Sequence, residues 1–295
     1  MKKNILDVLK DTVIVGDGAM GSELMKRGLV PGECPELWNT EHPDRVQEVH
    51  RSYIEAGSRF LLTNTFGGNE LKLDKAGCAD RMKELNRAGV ELLKETLNGP
   101  DIYIAGDIGP TGEFLQPAGG YTPEDFREIF GAQAEALAEA GADCIIIETM
   151  ADLNELRAAV LGAKQVCTLP VAASMTFEKG AAGFRTMMGA GVEDFIAVCE
   201  ECDVDIVGTN CGKGAHETAD VFRSIHESCR RPVLAFPNAG VPRIEEGQTV
   251  YDQSPEIMEP LIRDIVNGGV AVIGGCCGTD CSHIEMIART VRDLT

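Results

Sequence analysis

Apolar residues along this chain follow two alternating rhythms. Short unbroken runs, such as Phe60-Leu61-Leu62, Cys144-Ile145-Ile146-Ile147 and Val270-Ala271-Val272-Ile273, alternate with longer segments whose apolar positions recur every three or four residues. Continuous runs fit strands buried on both faces, as in parallel sheets. The spaced pattern fits helices with one face turned inward. Val46, Val49, Tyr53 and Ile54 make one such face; Phe126, Ile129, Phe130 and Leu137 make a second; Ile284, Ile287, Ala288 and Val291 make a third. The pattern predicts eight strands, near 13–17, 59–63, 102–107, 143–148, 170–175, 204–208, 232–236 and 270–274, with helices between them. Eight alternating units read as an α/β chain folded as a (β/α)8 TIM barrel, one domain over residues 1–295. An open doubly wound sheet is the alternative with the same element types.

Local signals agree with these units. Gly57, Gly141 and the pair Gly268-Gly269 follow amphipathic stretches, where a glycine serves as a left-handed helix cap. Thr122-Pro123 and Ser254-Pro255 mark helix starts, and Ser282 with Glu285 three residues on reads as a capping box. Connections from helix to strand are short, whereas those after strands are long at 18–42, 108–121, 176–190 and 237–253. Barrel active sites form from the loops after the strands. Asp17, Thr63, Asp107, Glu148, Ser174, Asn210, Cys211, Asn238, Cys276 and Cys277 close strands and are expected around one basin.

Composition narrows the function classes. The 295 residues carry 27 Lys and Arg against 47 Asp and Glu, a net charge of −20. Such a surface repels nucleic acids and anionic membranes. The start, Met1-Lys2-Lys3-Asn4-Ile5-Leu6-Asp7, lacks the apolar core of a signal peptide, and no apolar stretch approaches the roughly 20 residues of a membrane span. A cytoplasmic protein is expected. Its 11 cysteines then read as thiols or metal ligands rather than a disulfide framework.

The chemistry concentrates in Gly274-Gly275-Cys276-Cys277-Gly278-Thr279, just past the last apolar run. Adjacent cysteines do not easily bridge each other, but both reach one metal ion if the backbone turns sharply. Cys211, in Asn210-Cys211-Gly212, closes another strand and supplies a third sulfur. Three thiolates with an open fourth position describe a catalytic zinc site. Three cysteinates on Zn2+ leave a net charge of −1, a poor activator of water but a good holder of a fourth, nucleophilic thiolate. Cys144, Cys167 and Cys199 read instead as small buried hydrophobes. Asp17 and Glu148 need partners at a barrel mouth, and a substrate ammonium supplies one. Amides around Thr65-Phe66-Gly67-Gly68 offer a carboxylate site, and Asn210 and Asn238 are further candidates for substrate contact. Together these groups suit an amino acid bearing a thiol.

These residues carry a resemblance. Gly16-Asp17-Gly18-Ala19-Met20-Gly21, Leu62-Thr63-Asn64-Thr65-Phe66-Gly67, Gly109-Pro110-Thr111-Gly112-Glu113, Ile147-Glu148-Thr149, Ser174-Met175-Thr176-Phe177, Asn210-Cys211, Pro237-Asn238-Ala239-Gly240 and the vicinal-cysteine segment together resemble the homocysteine S-methyltransferase family. That family includes the homocysteine-binding module of cobalamin-dependent methionine synthase and betaine–homocysteine methyltransferase. The resemblance runs end to end, and the vicinal-cysteine segment is its most specific part. It implies a (β/α)8 barrel, zinc on Cys211, Cys276 and Cys277, the homocysteine amino group on Asp17 and Glu148, and its carboxylate on amides near Phe66 and Gly67. The product it implies is methionine.

The methyl donor is left open by the same comparison. Thr149 follows Glu148 where betaine-using relatives carry a tyrosine, and Trp38 does not fall at their loop tryptophan; it is expected to pack its own loop down. No Asp-x-His-x-x-Gly corrinoid motif occurs, and the chain is expected to end with the barrel, without a folate or activation domain. The donor is therefore external, a small molecule or a separate methylcorrinoid protein. Two rival readings stand beside this one. The first is a corrinoid-linked methyltransferase serving another thiol or demethylating a small methylated compound. The second is a structural-zinc barrel closed by Cys281 as fourth ligand.

Overall fold

The computed structural model describes residues 2–97, 99, 101–181, 183–245 and 248–295. Eight strands appear in the expected order: β1 (Ile14–Val15), β2 (Phe60–Leu62), β3 (Tyr103–Ile108), β4 (Cys144–Met150), β5 (Val171–Met175), β6 (Ile206–Cys211), β7 (Val233–Pro237) and β8 (Val272–Ile273). Hydrogen-bonded neighbours run parallel in the order β1-β8-β7-β6-β5-β4-β3-β2. A parallel bridge between Gly16 and Phe60 joins β1 to β2, so the two ends of the sheet meet. That contact makes a barrel rather than an open doubly wound sheet.

Eight helices form the outer ring: α1 (Pro43–Ala56), α2 (Met82–Thr96), α3 (Pro123–Ala140), α4 (Leu153–Val166), α5 (Val192–Glu201), α6 (Ala215–Ser228), α7 (Pro255–Asn267) and α8 (Cys281–Leu294). Their apolar faces and the outward side chains of the strands build the larger core, with Tyr53, Phe126, Phe130 and Ile287 fully buried in it. A separate inner core fills the barrel, where Phe60, Tyr103, Ile146, Ile206 and Phe236 pack together. Ile5 and Leu9, on and just after the short helix Ile5–Val8, pack against this inner cluster. Cys276 also packs against it, so the site rests on the barrel's own filling.

Several local expectations need correction. β1 and β8 are two residues each, shorter than 13–17 and 270–274, because Gly275 N donates to Asp17 O at 2.8 Å and a Cβ at Gly274 would lie 2.7 Å from that oxygen. The chains leave the ladder there to cross closely. The capping box of α8 is built by Asp280 and His283, not by Ser282 and Glu285. Asp280 precedes the first helical residue, and its Oδ1 accepts the Ser282 amide at 3.1 Å. Ser254 precedes α7, but its hydroxyl donates to Glu256 and does not cap. Thr122 caps α3 as expected, in a full box with Asp125. Gly57 and Gly141 are left-handed, and in the pair after α7 the left-handed residue is Gly269.

The long loops after β1, β3, β5 and β7 all stand at one end of the barrel. The loop after β2 is long as well and carries the helix Glu70–Lys75. Two antiparallel hairpins, Glu178–Gly180 with Gly183–Arg185 and Arg243–Glu245 with Gln248–Val250, rise from the loops after β5 and β7. No described helix is long and apolar enough to cross a membrane.

Candidate functional site

Cys211 is the last residue of β6, and its backbone is left-handed, with φ of 66°. A non-glycine residue holds that conformation only where its surroundings impose it. Cys276 and Cys277 follow β8 on a turn fixed at both sides. Cys276 N donates to Pro237 O of β7 at 2.8 Å, Ala239 N donates to Cys277 O at 3.0 Å, and the Thr279 hydroxyl donates to Cys276 O at 2.7 Å. Gly278 closes the turn with φ of 81°, and a Cβ there would sit 2.2 Å from the Tyr251 ring. The turn thus brings two consecutive thiols beside the end of β6.

The sulfurs of Cys211 and Cys277 lie 3.9 Å apart and those of Cys276 and Cys277 4.0 Å apart. All three fall within 4.8 Å of one another. A tetrahedral zinc with Zn–S bonds near 2.3 Å separates its sulfur ligands by about 3.8 Å, so the group has the span of a metal site. Without a metal the three share charge unequally. Hydrogen bonds from Cys276 and Cys277, then Asn238, pull the Cys211 thiol down to about 3. The bond to Cys211 raises Cys276 well above the thiol range and pushes Cys277 up to about 12. One thiolate and two thiols therefore stand ready to become three thiolates. Cys281 is exposed at the first position of α8 and is not in the group. Cys144 and Cys199 are buried and Cys167 is half-buried, all three outside it.

The sulfurs line a cavity of about 590 Å³ at the loop end of the barrel. Asp17, Asp107 and Glu148 line the same cavity. Asp17 accepts the Leu62 amide at 2.9 Å, yet burial pushes its carboxyl up to about 8. Burial, followed by the charges of Cys211 and Asp17, pushes Glu148 up to about 8. Burial and the neighbouring Glu148, Asp17 and Glu36 hold Asp107 well above the carboxylate range. Among the described residues no cation acts on these three acids, although Lys72 and Lys75 line the cavity elsewhere, and buried acids so placed call for an external cation.

The remaining expected site residues divide by contact. Phe66 and Gly67 line the cavity. The Gly67 amide already donates to Glu36 Oε1 at 2.6 Å, and Glu36 also accepts the Cys34 thiol. Thr65 is fully buried, with its hydroxyl engaged by Thr63 and by the Asp107 carbonyl. Asn210 joins β4, β5 and the turn after β8: its Oδ1 accepts the Thr149 amide at 2.9 Å and the Ser174 hydroxyl at 2.7 Å, while its Nδ2 donates to the Thr149 hydroxyl and toward Cys276 Sγ. Asn238 Nδ2 donates to Gly212 O at 2.7 Å, and its Oδ1 is buried without a partner among the described residues. Trp38 is buried, with the His42 ring at its edge and the Arg45 guanidinium over its face, which packs the first loop as expected.

Sequence reasoning missed two residues. Glu36 belongs to a loop whose path nothing in the local pattern reveals. Tyr251 lines the cavity from the loop after the second hairpin, and burial and then the nearby Cys277 push its phenol up to about 12. A tyrosine among polar loop residues carries no signal of that placement.

Comparison with known proteins agrees with this geometry. A homocysteine S-methyltransferase family model matches residues 14–291. The methionine synthase of Mycobacterium tuberculosis is 34% identical over 308 residues, covering 99% of this chain and 26% of that protein. The methionine synthase of Mycobacterium leprae is 33% identical over 305 residues, covering 98% of this chain and 25% of that protein. The chain thus spans about a quarter of the length of these curated relatives. The metallated form of the homocysteine methyltransferase MmuM from Escherichia coli has the same fold, with a TM-score of 0.80 at 23% identity, covering 97% of this chain and 99% of that one. With the family model matched along nearly its whole length, this chain belongs to the homocysteine S-methyltransferase family.

Proposed function

We propose that the chain is a zinc-dependent homocysteine S-methyltransferase that forms methionine from homocysteine and an external methyl donor, acting in the cytoplasm as one barrel over residues 1–295. The observation that carries this reading is the group of three sulfurs, 3.9 Å apart between Cys211 and Cys277 and 4.0 Å between Cys276 and Cys277, in the same cavity as Asp17 and Glu148. Cys211, Cys276 and Cys277 are the residues that would hold Zn2+. When bound, the ion keeps the substrate sulfur as a thiolate at neutral pH.

The chain's own residues do the rest. Asp17 and Glu148 hold the homocysteine ammonium, which supplies the positive charge their buried carboxylates lack. The Thr65-Phe66-Gly67 backbone supplies the carboxylate subsite, with Glu36 its competitor at the Gly67 amide. Asn210 reaches the Cys276 sulfur and Asn238 holds Gly212, the residue after Cys211. Fixing the ammonium and the sulfur at two points aligns the nucleophile for in-line attack on a methyl group. Cys281 lies outside the sulfur group, which supports an open fourth position over a closed structural site.

The donor reaches this barrel as a small molecule or as a methylated corrinoid. Met187, Met188 and Ile244 are exposed on the loops after β5 and β7. Purified zinc-loaded protein offered betaine, S-methylmethionine, S-adenosylmethionine or a methylated corrinoid, with methionine measured, tests the reading. Methionine from one donor, lost in Cys276→Ala, supports it. Methyl transfer that survives in a zinc-free variant ends it, and transfer to other thiols in preference to homocysteine favours the corrinoid-linked rival.

A further inference from the structure

Asp107 closes β3, and its backbone is held on three sides. Its amide donates to the Thr63 hydroxyl at 3.0 Å, and its carbonyl accepts the Thr65 hydroxyl at 2.8 Å and the Gln133 amide at 3.5 Å. Its side chain is different. The residue is 95% buried, since its relative exposure is 5%, and it lines the cavity, yet Oδ1 has no hydrogen-bond partner among the described residues. The charges that reach it belong to Glu148, Asp17 and Glu36, all of them acids. A rigid backbone presenting an unpartnered buried carboxyl to a cavity is costly for the fold unless a ligand completes it.

We infer that Asp107 is the third carboxylate of the ammonium subsite, so that Asp17, Glu148 and Asp107 each accept one N–H of the substrate's primary ammonium. This rests on the reading of the site as a homocysteine site. A primary ammonium has three N–H donors. Asp17 already gives one oxygen to the Leu62 amide and has its other oxygen for the ligand. Three acceptors around one nitrogen select a free α-amino group and reject thiols that lack it, because removing the nitrogen leaves three buried acceptors unpaired.

The test compares L-homocysteine with 4-mercaptobutanoate, which lacks the amino group, by titration calorimetry on the zinc-loaded full chain. Asp107→Asn is expected to weaken homocysteine binding about 10- to 100-fold and to leave 4-mercaptobutanoate within about twofold of the unsubstituted protein. Unchanged homocysteine affinity, or equal weakening of both thiols, overturns the inference while leaving the homocysteine reading intact. An unsubstituted protein that binds neither thiol overturns both. Thermal melting without ligand separates this role from a structural one. Losing an unpartnered carboxylate leaves the Asp107→Asn midpoint equal or higher, and a clearly lower midpoint counts against the inference. Asp107→Ser, which also removes the carboxylate, gives the same binding comparison should the asparagine variant fail to fold.

Discussion

Cys211 Sγ stands 3.9 Å from Cys277 Sγ although the two positions are 66 apart in the sequence. β6 and β8 both flank β7, and each ends its ladder on that strand, Cys211 opposite Pro237 and Cys276 bonded to the Pro237 carbonyl. Pro237 is thus the ruler that sets the sulfur spacing. Replacing Cys276 by Ala removes one ligand of three, and metal content is expected to fall from about one per chain to a small fraction, with methyl transfer lost in parallel. Plasma mass spectrometry of the dialysed protein alongside a methionine assay checks it.

Asn210 holds the sulfur group from behind. Its side chain bonds Thr149, Ser174 and Cys276, and Thr149 is itself left-handed with φ of 58°. Asn210→Ala leaves the Thr149 amide and the Ser174 hydroxyl without their partner. We expect a stability loss of about 2–4 kcal/mol in urea unfolding and zinc affinity weakened about 10- to 100-fold. A variant with unchanged affinity by competition with a chelator would show that the Asn210 contact does not orient Cys276.

Homocysteine affinity should rise with pH in the zinc-loaded protein. Asp17 and Glu148 both ionise only at about 8 in the empty site, so near pH 6 each still holds a proton. An ammonium binds the ionised carboxylates, so binding must expel those protons and is helped by raising the pH. The dissociation constant is expected to fall up to about tenfold per pH unit for each proton released between about pH 6 and 8. Calorimetry in buffers of different ionisation enthalpy measures the released protons; the homocysteine thiol supplies one on becoming a thiolate, so a count of one or fewer at pH 6 contradicts the pairing. Asp17→Asn should lower the number of released protons by about one.

Glu36 ties the first loop to the second. Its carboxylate accepts the Gly67 amide at 2.6 Å and the Cys34 thiol at 3.0 Å, and it is buried. Glu36→Ala should cost about 1–3 kcal/mol and speed proteolytic cleavage between Met25 and Asn39. An unchanged cleavage rate would remove the latch role.

Much of this was legible in the sequence for physical reasons. Buried parallel strands need unbroken apolar runs, so all eight were visible, and the vicinal cysteines were conspicuous because flanking glycines serve a turn and not a core. The edges were less legible. β1 and β8 shorten because Asp17 and Gly275 cross, a contact between residues at opposite ends of the chain that no local pattern contains. The cap of α8 went to Asp280 because the Gly278 turn ends one residue before it, and propensity alone does not rank Asp280 against Ser282. Asp107 was visible as a strand-closing acid, but its lack of a partner is a property of three elements packed together. Tyr251 and Glu36 reach the cavity through loops whose course depends on tertiary bonds.

Zinc K-edge X-ray absorption on the zinc-loaded chain, before and after adding L-selenohomocysteine, tests the open fourth position most directly. Three sulfur scatterers and one lighter atom are expected before the addition, with the lighter atom replaced by selenium afterwards. Four sulfurs at the start, or a spectrum that the selenol leaves unchanged, would contradict a site built by Cys211, Cys276 and Cys277 to take a substrate thiol.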